Sequence, residues 1–119
     1  MTAEDAMRRI DTLLSHVWMV RAFLKHSDDV VDDEQVQEIQ RTLYDYHLAV
    51  GTPWRDQNAA EYLHLARKKY SKLRSASDEF TEIQHEVSSH TNFQMAAASL
   101  ATAVKEIGEI LDQFDQGPA

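Results

Sequence analysis

The sequence predicts an all-α protein, an antiparallel up-down four-helix bundle, and three observations carry that expectation. Apolar residues recur at helical spacing in four successive stretches. No stretch alternates apolar and polar residues as a half-buried strand does. With only 3 Gly and 2 Pro in 119 residues, the chain lacks the turn residues that an all-β domain needs. That length supports one ordinary core, so residues 1–119 read as a single helical-bundle domain.

The first helix opens on Thr2, whose hydroxyl can cap while Asp5, three residues on, reaches back as in a capping box, and good helix formers continue to Ser27. Its apolar face gathers Ala6, Ile10, Leu13, Val17, Val20 and Leu24, with Arg21 inside the same sector. Trp18, Met19 and Phe23 fall outside it. Apolar residues on more than one side mark this helix as central or as part of an interface. The next segment, Asp28 to Glu34, holds five acids in seven residues. It has no glycine for the turn of a calcium loop, so it reads as a helix start, with Asp32 or Asp33 as the cap and carboxylates at the positive helix end.

The second helix runs to about Val50 and ends at Gly51, with Val36, Ile39, Leu43, Tyr46, His47 and Val50 facing inward. Either Thr52 before Pro53, or Asn58 with Glu61, caps the third helix. That helix keeps one apolar phase from Ala59 to Val87 through Tyr62, Leu65, Ala66, Leu73, Ala76, Phe80, Ile83 and Val87. The weak formers Ser75 to Asp78 mark where it would break into a fifth short helix if it were not continuous. Thr91 with Gln94 forms a capping box for the last helix, which places Phe93, Ala96, Leu100, Ala103, Val104, Ile107, Leu111 and Phe114 on one face and closes at Gly117-Pro118.

Loop centres near residues 30, 53 and 89 let each helix be reflected onto its antiparallel neighbour. This sets residue 30 beside about residues 76 and 102, and leaves an apolar tip of Phe80, Ile83, Val87, Phe93, Ala96 and Leu100 without a first-hairpin partner. Exposed apolar surface of that size predicts a homodimer whose tips pack about a twofold axis. The same heights bring Arg21 and Lys69 together near Gln40 and Glu109, with His47 near Tyr62, as candidate lining for a small anionic ligand. Against that stands snorkelling of the two cations toward water, and a hydrogen-bonded core role for His47.

Composition narrows the function classes. The formal charge of −8 disfavours nucleic acid and anionic lipid as partners. No cysteine is present, so disulfides, thiolate metal sites and thiol nucleophiles are excluded. No apolar run approaches the roughly 20 residues of a membrane span, and the start MTAEDAMRR lacks an apolar signal core, so a cytoplasmic setting is expected. Two Glu-x-x-His pairs, Glu61 with His64 and Glu82 with His85, have the spacing of di-iron bundle ligands. They sit in one helix, opposite its apolar stripe, so no metal or other cofactor is expected. A surface zinc on His85, Glu86 and His90 is equally unspecific.

The basic run Arg67, Lys68, Lys69, Lys72 and Arg74 covers an outer face and fits ion pairing with the chain's own carboxylates. His16 and His26 flank Trp18, Met19 and Phe23, which makes the first helix a second candidate partner surface. No nucleophile elbow, phosphate loop or zinc-protease helix is present. The leading expectation is a non-enzymatic protein that acts by homo-oligomerisation and protein association. The alternative is a bundle that holds a small anion or metal between its helices, lined by Arg21, His47, Tyr62 and Lys69. Catalysis is the weakest of the three readings.

Overall fold

A computed structural model describes residues 1–114. It contains four helices and, among the described residues, no strand: α1 (Ala3–His26), α2 (Glu34–Arg55), α3 (Ala59–Val87) and α4 (Thr91–Gln113). They form an up-down bundle with principal extents of 46 × 23 × 18 Å. Each helix packs on its neighbours around the ring, and α1 also meets α3 across the diagonal, whereas α2 and α4 do not meet. The expected terminator Gly117-Pro118 lies outside the described residues.

Most helix starts follow local side-chain chemistry. The Thr2 hydroxyl accepts the Asp5 amide at 3.0 Å while the Asp5 carboxylate accepts the Thr2 amide at 3.2 Å. Asp33 accepts from the Val36 amide and Asn58 from the Glu61 amide. The fourth start differs from expectation. His90, not Thr91, is the cap, its Nδ1 accepting the Asn92 amide at 3.1 Å, and Thr91 is already helical. α3 is continuous through Ser75 to Asp78 because Ala76 and Ser77 are buried there, and burial outweighs weak propensity.

The second helix does not stop at Gly51. It runs four residues further, to Arg55, because Pro53 is buried and the Trp54 ring lies 6.2 Å from that of Tyr62. The helix ends instead on Gln57, which takes a left-handed φ of 52°. The Asn58 amide donates to the Pro53 carbonyl at 2.8 Å and the Gln57 amide to the Trp54 carbonyl at 3.0 Å, the two bonds of a Schellman ending. Gln57 also sends its side-chain amide to the Trp54 carbonyl at 2.7 Å, which helps hold a conformation that glycine normally occupies.

This late ending corrects the heights along the bundle. Moving the turn centre from about 53 to 57 moves every mirror partner by twice four residues, about 12 Å of helix. The Gln35 side chain therefore donates to Glu79 at 2.7 Å, and the Tyr46 hydroxyl to the Ala66 carbonyl at 2.8 Å. On the other side Phe23 reaches Phe93, with ring centroids 4.9 Å apart. The first hairpin is thus as tall as the second, and the expected overhang is absent. Phe80, Phe93, Ala96 and Leu100 are buried within the single chain, and Ile83 and Val87 pack against the same core. Among the described residues no helix is long and apolar enough to cross a membrane.

Candidate functional site

Trp18 and Arg21 stand three residues apart on α1, and Tyr44 and His47 three apart on α2. That spacing keeps each pair on one helix side. The α1–α2 turn sets the two pairs level. Gln37 fastens this turn by donating to the Leu24 carbonyl at 3.2 Å and the Val30 carbonyl at 3.0 Å. Arg21 then lies between two rings, its guanidinium carbon 4.5 Å from the Trp18 centroid and 4.7 Å from that of Tyr44. The rings are 6.3 Å apart, and the His47 ring meets Trp18 edge-on at 5.3 Å and 78°.

Arg21 is only 9% exposed, whereas Trp18 and Tyr44 are 41% and 37% exposed, so the rings form the rim and the cation the floor. Two aromatic faces attract a guanidinium but cannot accept its N–H groups as oxygen does. No carboxylate among the described residues pairs with Arg21, and its buried Nε makes no hydrogen bond. The buried Nε2 of His47 makes none either. Burial of the ring, and next the adjacent Arg21 charge, lower the His47 pKa from 6.5 to about 4, so His47 is neutral at pH 7. The cluster therefore presents one largely buried positive charge and a neutral imidazole behind an aromatic rim.

Of the four residues expected to line one ligand site, the structure groups only Arg21 and His47. Tyr62 is buried in the bundle centre and donates to Asp11 Oδ1 at 3.1 Å. Burial raises the pKa of both groups, and for Tyr62 the Asp11 charge adds to it. Lys69 lines a groove of about 620 Å³ between α2 and α3, with Lys72, Tyr46 and Leu48. Arg21, against Trp18 and Tyr44 at the α1–α2 edge, and Lys69, in the α2–α3 groove, thus do not share one site. Tyr44 escaped the sequence reading because its partial exposure places it outside the apolar sector, and Trp18 was expected on a partner surface of the first helix but not beside Arg21. The repeated three-residue spacing, Trp18 to Arg21 and Tyr44 to His47, was the available signal.

Elsewhere Gln84 Oε1 on α3 is also buried without a hydrogen bond, whereas the arginines of α3 have local duties. The Arg67 guanidinium donates to the Leu111 carbonyl at 3.2 Å and the Phe114 carbonyl at 2.7 Å, closing the end of α4. Arg74 approaches Asp78 at 3.9 Å. Glu61, His64, Glu82 and His85 are exposed on α3, and among the described residues no three metal-ligating side chains converge. On the other side of α1, Met19, Phe23 and Met95 border a shallow apolar groove of about 310 Å³ between α1 and α4. No family model matches this chain, and neither a curated protein nor a solved structure matches it.

Proposed function

We propose that this protein works by association rather than catalysis, as a cytoplasmic homodimer that also presents a helical face to a protein partner. The contact face is the α1–α2 side, centred on Trp18, Arg21 and Tyr44. One observation carries the reading: a nine-tenths buried, unpaired arginine held between two partly exposed aromatic rings. Trp, Tyr and Arg dominate the energetic centres of protein interfaces, where a desolvated pocket strengthens each contact. The expected tip interface is not carried into this proposal, since Phe80, Phe93, Ala96 and Leu100 are buried within the single chain and Ile83 and Val87 are partly buried against the same core.

Photo-crosslinking tests it. A benzophenone amino acid at position 18 should give a discrete adduct, including a self-adduct of twice the chain mass, whereas the same group at the exposed Lys68 on α3 should not. Equal labelling at the two positions, or none at 18, would refute the assignment.

A second reading keeps the small anionic ligand, now in the α2–α3 groove. Lys69 and Lys72 line it beside the carboxylates of Glu38 and Asp45, and neither lysine is ion-paired among the described residues. Lys69→Met should then abolish any ligand-induced rise in melting temperature.

A further inference from the structure

We infer that the Arg21 seat is filled, in a twofold dimer, by a carboxylate from the 28–32 loop of a second copy of this chain. The inference rests on the association proposed above and names the group that completes it. Arg21 supplies a cation that is nine-tenths buried, has no carboxylate partner among the described residues, and leaves Nε without an acceptor. His47 Nε2 lies unbonded in the same cluster, and a neutral imidazole protonated on Nε2 donates beside a guanidinium without repelling the oxyanion. A carboxylate reaches the guanidinium through its terminal nitrogens, which are not among the buried unpaired atoms, and its bond to Arg is charge-assisted.

The occupant follows from charge and shape. The same chain offers Asp28, Asp29 and Asp32, all exposed, and none of them is ion-paired among the described residues. Buried Val30 anchors this loop, its amide donating to the Ser27 carbonyl at 3.2 Å, while Val31 between the acids is 54% exposed. An apolar tip flanked by acids complements a cation ringed by Trp18 and Tyr44. Loop and seat belong to the same hairpin, and α1 carries them roughly 10 Å apart along its axis. A twofold axis between them gives each seat the other copy's loop, so one operation satisfies both and the assembly closes. The charge of −8 on each copy makes the dimer weak.

The test combines sedimentation velocity with NMR of the Arg21 Nε–H resonance, assigned by its absence from Arg21→Lys. Self-association is expected with increasing concentration, with a downfield Nε–H shift that follows it. Arg21→Met and the triple change Asp28→Asn, Asp29→Asn, Asp32→Asn should each weaken it at least tenfold. Sodium benzoate should compete for the Nε–H, and neutral benzamide should not. A chain that stays monomeric at millimolar concentration overturns the inference. So does a benzoate shift with no concentration dependence, which would mean a free carboxylate is the occupant. If the crosslink at position 18 persists unchanged in Arg21→Met, the association stands and the carboxylate seat alone fails.

Discussion

Two polar regions inside this bundle are treated in opposite ways. Around α3, three tyrosines each have a partner: Tyr46 on the Ala66 carbonyl at 2.8 Å, Tyr62 on Asp11 at 3.1 Å and Tyr70 on the Val104 carbonyl at 2.8 Å. At the α1–α2 edge, Arg21 Nε and His47 Nε2 are buried with none. A buried polar group with a partner roughly breaks even, whereas one without carries its desolvation cost uncompensated. The first arrangement is what stability alone selects. The second is costly for the chain alone, and in the association proposed above a binding partner would relieve it.

Gly108 shows how closely the tyrosine region is fitted. A Cβ at that position would overlap the Tyr70 hydroxyl and lie 2.8 Å from its ring carbon Cζ, so a residue without a side chain lets Tyr70 cross α4. No comparable fitting supports Arg21, which rests against ring faces alone.

The contrast can be broken or sharpened by substitution, and the apolar core of the same helix sets the scale. Phe80→Ala should cost about 3–5 kcal/mol in urea unfolding, because the ring is fully buried and leaves a cavity. The loss should not depend on protein concentration, since the ring belongs to the monomer core. A concentration-dependent loss would restore the tip as an interface.

Next in size is a pH effect from the unpartnered region. His47 has a folded pKa near 4 against 6.5 when unfolded, so the unfolded chain binds the proton first. Stability is therefore complete above about pH 6.5 and is lost as pH falls toward 4. The ring is only partly buried, and solvent screening reduces the loss to about 1–2 kcal/mol. Asp11 works in the opposite sense. Its raised pKa makes the folded state take up its proton first, so acid partly relieves the cost of burying that carboxylate. Thermal unfolding of His47→Gln between pH 7 and 4 should show a flatter profile than the native chain; an unchanged profile would acquit the cluster.

Tyr62→Phe tests the partnered region directly. It removes the hydroxyl that donates to Asp11 and leaves a half-buried carboxylate without that donor, at a cost of about 1–2 kcal/mol. The Asp11 pKa should rise further by carboxyl NMR, because the hydrogen bond is what opposes its desolvation. No change in either would mean that Asp11 is hydrated in solution and the tyrosine is indifferent to it.

How much of this was legible depended on the range of the signal. Capping by Thr2, and the inward phases of Arg21 and His47, follow from residues within one or two turns and could be read, and Asp33 and Asn58 were each one of two candidate caps, between which packing decides. The end of α2 could not be. Gly51 offers the usual stop, yet nothing in its surroundings requires a glycine, and the helix ends on Gln57, held left-handed by hydrogen bonds that involve Pro53 and Trp54. Reflection doubled that four-residue error, which opened a tip at Phe80 and carried Lys69 to Arg21. Pairing between helices is set by where the turn lies, and propensity locates turns poorly when packing of a buried Pro53 and a half-buried Trp54 outweighs it.

The smallest expected effect on stability is the most informative. Arg21→Met removes two aromatic contacts to a cation, each about 0.5–1 kcal/mol, and also removes a desolvated charge that no carboxylate offsets. Methionine keeps a long apolar stem between Trp18 and Tyr44. The balance is expected within about 1 kcal/mol of zero, on the stabilising side, by urea titration of the monomer. The Arg21 charge also helps lower the His47 pKa, so the variant should move that pKa back toward 6.5 and narrow the acid-labile window. A residue kept for stability would instead destabilise the fold when replaced, as Tyr62 should. A cost above about 2 kcal/mol for Arg21→Met would erase the distinction between the two regions, whereas gained stability with lost self-association would place the cost of the buried charge on recognition.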